Sequence, residues 1–152
     1  MPEIRTRHLF TLRLQVSGTQ PIGPTPTGDR RIGLVAGGTF EGERLRGTVL
    51  PGGADWMIVR PDGCTTLDVR IVLQTHDGAA IGMTYRGLRH GPPDVMDRVN
   101  RGEPVDPASY YFRTSIAFET ATASYDWLNR IIAIGTGQRP PEGPIYDVFE
   151  VL

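Results

Sequence analysis

Hydrophobic and polar residues alternate along most of this chain with a period of two. In His8-Leu9-Phe10-Thr11-Leu12-Arg13-Leu14-Gln15-Val16, the residues Phe10, Leu12, Leu14 and Val16 share one face, and Thr11, Arg13 and Gln15 the other. Successive side chains of a strand point to opposite faces, so the pattern predicts a half-buried strand. Ser17 to Gly28, with three prolines and three glycines, reads as a loop. A second strand is predicted over Arg31 to Phe40. Its Gly33, Gly37 and Gly38 suggest a bulge, a sharp bend or the close approach of a ligand.

Turn signals then recur at Glu41-Gly42, Pro51-Gly52-Gly53, Pro61-Asp62-Gly63 and Asp77-Gly78. The β-rich segments between them cover 45–50, 56–60, 65–75 and 79–88. Short strands joined by glycine-bearing turns predict an antiparallel meander, hence a sandwich or barrel. The strongest hairpin is Asp68–Gln74 against Ala80–Arg86 across Asp77-Gly78. The central stretch is Gly47-Thr48-Val49-Leu50-Pro51-Gly52-Gly53-Ala54-Asp55-Trp56. It reads as a strand entering a Pro-Gly-Gly turn that delivers a carboxylate and an indole to the next strand. Asp55 and Trp56 are adjacent on extended backbone, so they point to opposite faces, one of them inward.

The meander stops at His90-Gly91-Pro92-Pro93, and 94–102 reads as a short helix with Val95, Met96 and Val99 as its apolar stripe. Strands over 110–119, 129–136 and 145–152 follow, with a helical turn over 122–127. The prediction is a single all-β domain over 1–152: an antiparallel β-barrel of about nine strands with one or two short helices.

Composition narrows the function classes. A net charge of −1 leaves no electrostatic footprint for nucleic acid. No apolar run approaches the roughly 18 residues of a membrane span. The first residues lack a signal-peptide core and Cys64 is the lone cysteine, so a cytoplasmic protein is expected. All sixteen basic residues are arginine, which removes lysine chemistry and makes every fixed cation a guanidinium suited to bidentate recognition of carboxylate.

The common catalytic motifs are missing: no Gly-x-Ser-x-Gly, His-Glu-x-x-His, Cys-x-x-Cys or Gly-x-Gly-x-x-Gly occurs. His8, His76 and His90 lack ligand spacing, so no metal and no cofactor is expected. The candidates are charged and aromatic residues on strands. On 66–75, Asp68, Arg70, Val72 and Gln74 oppose Leu67, Val69, Ile71 and Leu73. On 110–119, Tyr111, Arg113, Ser115, Ala117 and Glu119 oppose Tyr110, Phe112, Thr114, Ile116 and Phe118. Two readings stand. Either the apolar faces fill a core and the polar faces meet water, or the lumen is polar and Asp55, Arg70, Tyr111 and Arg113 converge there on a ligand. Arg86 is either an exposed strand residue or a pocket cation, Trp56 and Trp127 core or apolar wall, and Asn129 a backbone cap.

At these residues the chain resembles the domain-of-unknown-function family numbered 3237. The resemblance runs through Gly38-Thr39-Phe40-Glu41-Gly42, Leu45-Arg46-Gly47, Gly52-Gly53-Ala54-Asp55-Trp56, Asp62-Gly63, Asp68-Val69-Arg70 and Thr75-His76-Asp77-Gly78. It continues in Tyr111-Phe112-Arg113-Thr114, Phe118-Glu119 and Tyr125-Asp126-Trp127-Leu128-Asn129. It implies a small bacterial or fungal barrel, similar in architecture to the allene-oxide-cyclase and dirigent type, and no particular activity. Barrels of that shape enclose a cavity, which favours the lumen reading.

The leading expectation is therefore a cofactor-independent isomerase, cyclase or lyase acting on a small oxygenated anionic molecule. Asp55 is its candidate acid or base. Trp56, Arg70, Arg86, Tyr111, Arg113, Glu119 and Trp127 are its candidate ligand contacts. The alternatives are a non-catalytic carrier or sensor, and a structural barrel without a functional cavity. Exposed apolar outer faces would imply a homo-oligomer.

Overall fold

A computed structural model of the chain describes residues 2–152. Nine strands carry the fold: β1 (Thr6–Thr25), β2 (Gly28–Glu41), β3 (Arg46–Val49), β4 (Gly53–Val59), β5 (Thr65–Thr75), β6 (Ala80–His90), β7 (Tyr111–Glu119), β8 (Ala133–Gln138) and β9 (Ile145–Val151). One α-helix, α1 (Pro93–Asn100), and 3-10 turns over Pro107–Ser109 and Ala123–Arg130 complete it. All pairings are antiparallel: β3 and β4 each pair with β2 and β5, the other strands pair with their sequence neighbours, and β1 pairs with both β2 and β9, so the sheet closes into a barrel. No helix among the described residues is long and apolar enough to cross a membrane.

The Pro-Gly-Gly segment is not a hairpin turn. Val49 pairs with Leu73 and Gly38, while Ala54 pairs with Arg70 and Leu34, so β3 and β4 run the same way between the same two neighbours. They form one stave interrupted by a bulge at Leu50-Pro51-Gly52, and the nine strands make eight staves. The backbone N–H of Leu50 donates to Val72 and that of Gly52 to Val35, which anchors the bulge on both sides. Gly52 has φ +105°, a conformation that glycine alone adopts cheaply, and nothing lies within 4 Å of a β-carbon added there.

Ser17 to Gly28 also departs from the expected loop. It forms the outer half of a long β1–β2 hairpin whose tip is Pro26-Thr27. Register shifts after Gln15, Val16 and Pro21 absorb the glycines and prolines that break a regular ladder. The strand expected from Asn129 starts later, at Ala133, because Asn129 lies in the 3-10 turn. There its amide accepts the Thr120 N–H and donates to the Thr120 carbonyl, the backbone-capping role expected of it.

Strand alternation decides what lies inside. On β5, Leu67, Val69, Ile71 and Leu73 are buried; on β7, Phe112, Thr114, Ile116 and Phe118 are. One end of the lumen is solid: Phe10 meets Phe40 and Phe118 edge-on at 5.4 and 6.0 Å, with Leu45, Leu73, Ile81, Met83 and Leu128 packed around them. Burial of these side chains at roughly 1.5–3 kcal/mol each supplies the main driving force for closure. The other end is hollow.

Candidate functional site

The hollow end encloses a cavity of about 530 Å³. Its walls come from residues of β1, β2, β4, β5, β6 and β9. Met96, Val99 and Asn100 of α1 and the 139–144 segment lie across its rim. Leu67, Val69, Val35 and Met57 form apolar wall, and the polar side chains beside them include Asp55, Arg89, Tyr85 and Tyr146, with Arg31 and Arg139 also in the lining.

Asp55 enters the cavity because its strand alternates: Asp55, Met57 and Val59 point in, while Trp56 and Ile58 point out. The β4–β5 ladder lacks pairs between Asp55↔Val69 and Ile58↔Thr66. Within that gap the backbone N–H of Asp68 donates to Asp55 Oδ1 at 3.0 Å. Burial pushes the Asp55 carboxyl up to about 6, against the lowering effects of this hydrogen bond and of the Arg89 charge. Across the stave pair, Gly33 stands opposite Asp55. A β-carbon at Gly33 would lie 3.3 Å from the tip of Met57 and 3.8 Å from the Asp55 β-carbon, so the missing side chain leaves room beside the carboxylate.

Arg89 is a half-buried cation of the cavity wall with its Nε enclosed. It lies on β6 in phase with the inward Ile81, Met83, Tyr85 and Gly87. Its guanidinium sits over the Phe112 ring at 5.3 Å, and its Nε is enclosed with no hydrogen-bond partner. Burial lowers its proton affinity, and the nearby Tyr146 and Asp55 act in the opposite sense. No ion pair among the described residues involves Asp55 or Arg89. Tyr85 and Tyr146 meet edge-on at 5.2 Å, and burial pushes both phenols above their ordinary value. The Tyr85 hydroxyl is enclosed and unpartnered. A buried donor without an acceptor costs about 1–3 kcal/mol, so these groups are held at the expense of stability.

The other residues singled out by sequence lie elsewhere. Arg70, Arg86, Tyr111, Arg113 and Glu119 all point outward from β5, β6 and β7, because each is out of phase with the buried residues of its strand. The polar-lumen convergence of Asp55 with Arg70, Tyr111 and Arg113 is therefore corrected: of the four, Asp55 alone faces the lumen. Trp56, Arg86, Tyr111 and Arg113 do come together, with Leu88 and Ile134, along an open groove on the outer wall. There Arg30 lies over Trp56 at 5.8 Å and Arg113 over Tyr111 at 5.4 Å.

Trp127 belongs to a third place, with Arg44 stacked on it at 3.7 Å. Arg44 and Arg7 both donate to Glu150, at 3.1 and 2.8 Å, so this inward carboxylate is fully paired, unlike Asp55. Among the described residues no cluster of histidine, cysteine and carboxylate side chains is placed to hold a metal.

Sequence reasoning missed Arg89, Tyr85 and Tyr146. The signal was available for Arg89: the β6 alternation, carried two residues past Thr84-Tyr85-Arg86-Gly87, puts residue 89 on the buried face. Ending the strand at Leu88 hid it.

A family model described as "Protein of unknown function (DUF3237)" matches residues 4–151. The UPF0311 protein of Rhodopseudomonas palustris is 37% identical over 151 residues, covering 99% of each chain. The crystal structure of that organism's conserved protein of unknown function superposes with a TM-score of 0.96 at 37% identity, covering 100% of both chains. A β-barrel-like protein from Acinetobacter baumannii is 36% identical, with a TM-score of 0.87 over 100% of this chain and 98% of its own. An enzyme from Penicillium herquei shares the fold, with a TM-score of 0.76 at 22% identity over 100% of this chain and 98% of its own.

Proposed function

The chain belongs to the DUF3237 family, and on that premise we propose that its lumen is the binding site of a small oxygenated organic molecule on which Asp55 performs proton transfer. The reaction class is isomerisation, cyclisation or lyase chemistry without a cofactor. One observation carries the reading: a carboxyl with a pKa of about 6 stands largely buried in the wall of a barrel cavity with no ion-pair partner. A general acid–base group works best when its pKa lies near the operating pH, and Asp55 meets that condition through burial. A purely structural carboxylate is expected to be paired, as Glu150 is. Arg89 replaces the outward arginines as the cation that faces the oxygen of the bound molecule.

The outer groove is the rival site, since four of the sequence candidates gather there. Its cations are solvated and screened, which weakens any electrostatic role. The two sites separate in a thermal-shift screen of small organic acids, lactones and phenolics. Wild type, Gly33→Val and Trp56→Ala would be run in parallel. The β-carbon of valine at 33 meets the flexible Met57 tip at 3.3 Å and the Asp55 β-carbon at 3.8 Å, so the side chain takes up space beside Asp55. A ligand at about 100 times its Kd adds roughly 2.7 kcal/mol, a rise of several degrees. Hits lost in Gly33→Val and kept in Trp56→Ala support the lumen, and turnover of those hits is then compared in Asp55→Asn. Hits lost only in Trp56→Ala overturn the reading, as does a hit turned over equally fast by Asp55→Asn.

A further inference from the structure

We propose that the molecule taken by the lumen is an enolisable carbonyl compound. Its carbonyl oxygen is held by the Arg89 guanidinium and the Tyr146 hydroxyl, while Asp55 moves the proton on the adjacent carbon. The inference rests on the lumen reading above and deepens it by naming the substrate chemistry and the oxygen-binding residues.

The argument starts from an imbalance of donors and acceptors. The cavity lining holds one carboxylate residue, Asp55, against three arginines, Arg31, Arg89 and Arg139, and two phenols, Tyr85 and Tyr146. Asp55, Arg89 and Tyr146 are close enough to act on one another's proton equilibria, yet Asp55 and Arg89 do not pair. Asp55 accepts its hydrogen bond from the Asp68 backbone N–H. The Arg89 Nε and the Tyr85 hydroxyl have no acceptor at all. Arg89 and Tyr146 both line the cavity, so the acceptor that the protein does not supply is one that a bound molecule can bring to them. An oxygen that gains negative charge is such an acceptor, and buried donors act on it far more strongly than donors in water.

The base stands beside this donor set, with a proton affinity suited to neutral pH. At pH 7 a carboxyl of pKa about 6 is ionised in about nine molecules of ten. A carboxylate substrate would set a full negative charge beside ionised Asp55 before any reaction. A neutral carbonyl develops its charge only as Asp55 takes the proton, so the total anionic charge stays at one throughout.

The step balances. The Asp55 carboxylate removes a proton from the carbon next to the carbonyl. The C–H electron pair becomes the carbon–carbon double bond of an enolate, and the carbonyl π pair moves onto oxygen between Arg89 and Tyr146. Return of the proton from Asp55 to the same or a conjugated carbon restores the carboxylate and completes an isomerisation. Tyr85, whose hydroxyl is enclosed, packs against Tyr146 at 5.2 Å and is a positioning residue for it.

The test uses 4-nitrophenol, whose phenolate mimics an enolate and is coloured while the phenol is not. Wild type, Asp55→Asn, Arg89→Met, Tyr146→Phe and Trp56→Ala are titrated near pH 7, where about nine wild-type molecules in ten carry ionised Asp55. Bound probe is expected to ionise more readily than free probe. Asp55→Asn, which imitates the protonated base, is expected to bind the phenolate at least tenfold more tightly. Arg89→Met and Tyr146→Phe are each expected to lose at least tenfold and the colour shift, while Trp56→Ala binds as wild type does. Absence of binding in wild type and Asp55→Asn overturns the proposal, as does an affinity unchanged by Asp55→Asn. Binding of the uncoloured phenol alone overturns it too. Should Arg89→Met not fold, Tyr146→Phe and Asp55→Asn still decide. If the ligand screen yields lumen hits while 4-nitrophenol fails, proton transfer in the lumen stands and the carbonyl assignment falls. If neither binds, both fall.

Discussion

The backbone N–H of Asp68 donates to the Asp55 carboxylate at 3.0 Å inside a gap in the β4–β5 ladder. One hydrogen bond is less than a buried carboxylate needs, and the remaining desolvation raises its pKa to about 6. A group with a raised acid pKa destabilises the fold once it ionises. Below an unfolded value near 3.8 both states are protonated and nothing is lost; as pH rises from about 4 to about 6 the folded state loses stability, and the loss is complete above that. Asp55→Asn is therefore expected to exceed wild type by about 2–3 kcal/mol at pH 7, a gap that closes by pH 4. Urea unfolding across that range measures it. A gap independent of pH would mean that the carboxyl titrates normally.

Tyr85→Phe removes a buried hydroxyl that has no partner. The variant is expected to gain about 1 kcal/mol, a rise of about 2–4 °C in Tm for a chain of this size. A lowered Tm would show that the hydroxyl is satisfied after all.

Glu150 offers the opposite case, an inward carboxylate whose two arginine partners reach it from the more exposed surface. Glu150→Gln is expected to cost about 1–2 kcal/mol, discounted from the buried-pair range because Arg7 and Arg44 remain solvated. The urea midpoint should fall with no change in ligand binding, since the Glu150–Arg44–Trp127 cluster lies outside the cavity lining.

Gly52 isolates a backbone effect. Its φ is +105° and no atom lies within 4 Å of an added β-carbon, so Gly52→Ala changes strain and nothing else. A loss of about 1–2 kcal/mol in chemical unfolding is expected. A neutral result would mean that the bulge relaxes without loss of pairing.

Much of the barrel was legible along the chain. The period-two pattern of residues 65–75 and 110–119 named the faces that pack, and the glycine-bearing turns spaced the meander. Alternation also required that Asp55 and Trp56 part company at the start of β4. These are local properties, fixed by the pleat and by which residues tolerate a turn. The sequence could not say which face of each strand the closed sheet would turn inward, because closure is a relation among all eight staves. Tertiary structure decided that Arg70, Tyr111 and Arg113 look outward, that Pro51-Gly52 bulges one stave instead of joining two, and that Arg89 enters the cavity. It also decided that Glu150 is paired while Asp55 is not. Both are inward carboxylates on strands, and what distinguishes them is the distance to an arginine supplied from a remote part of the chain.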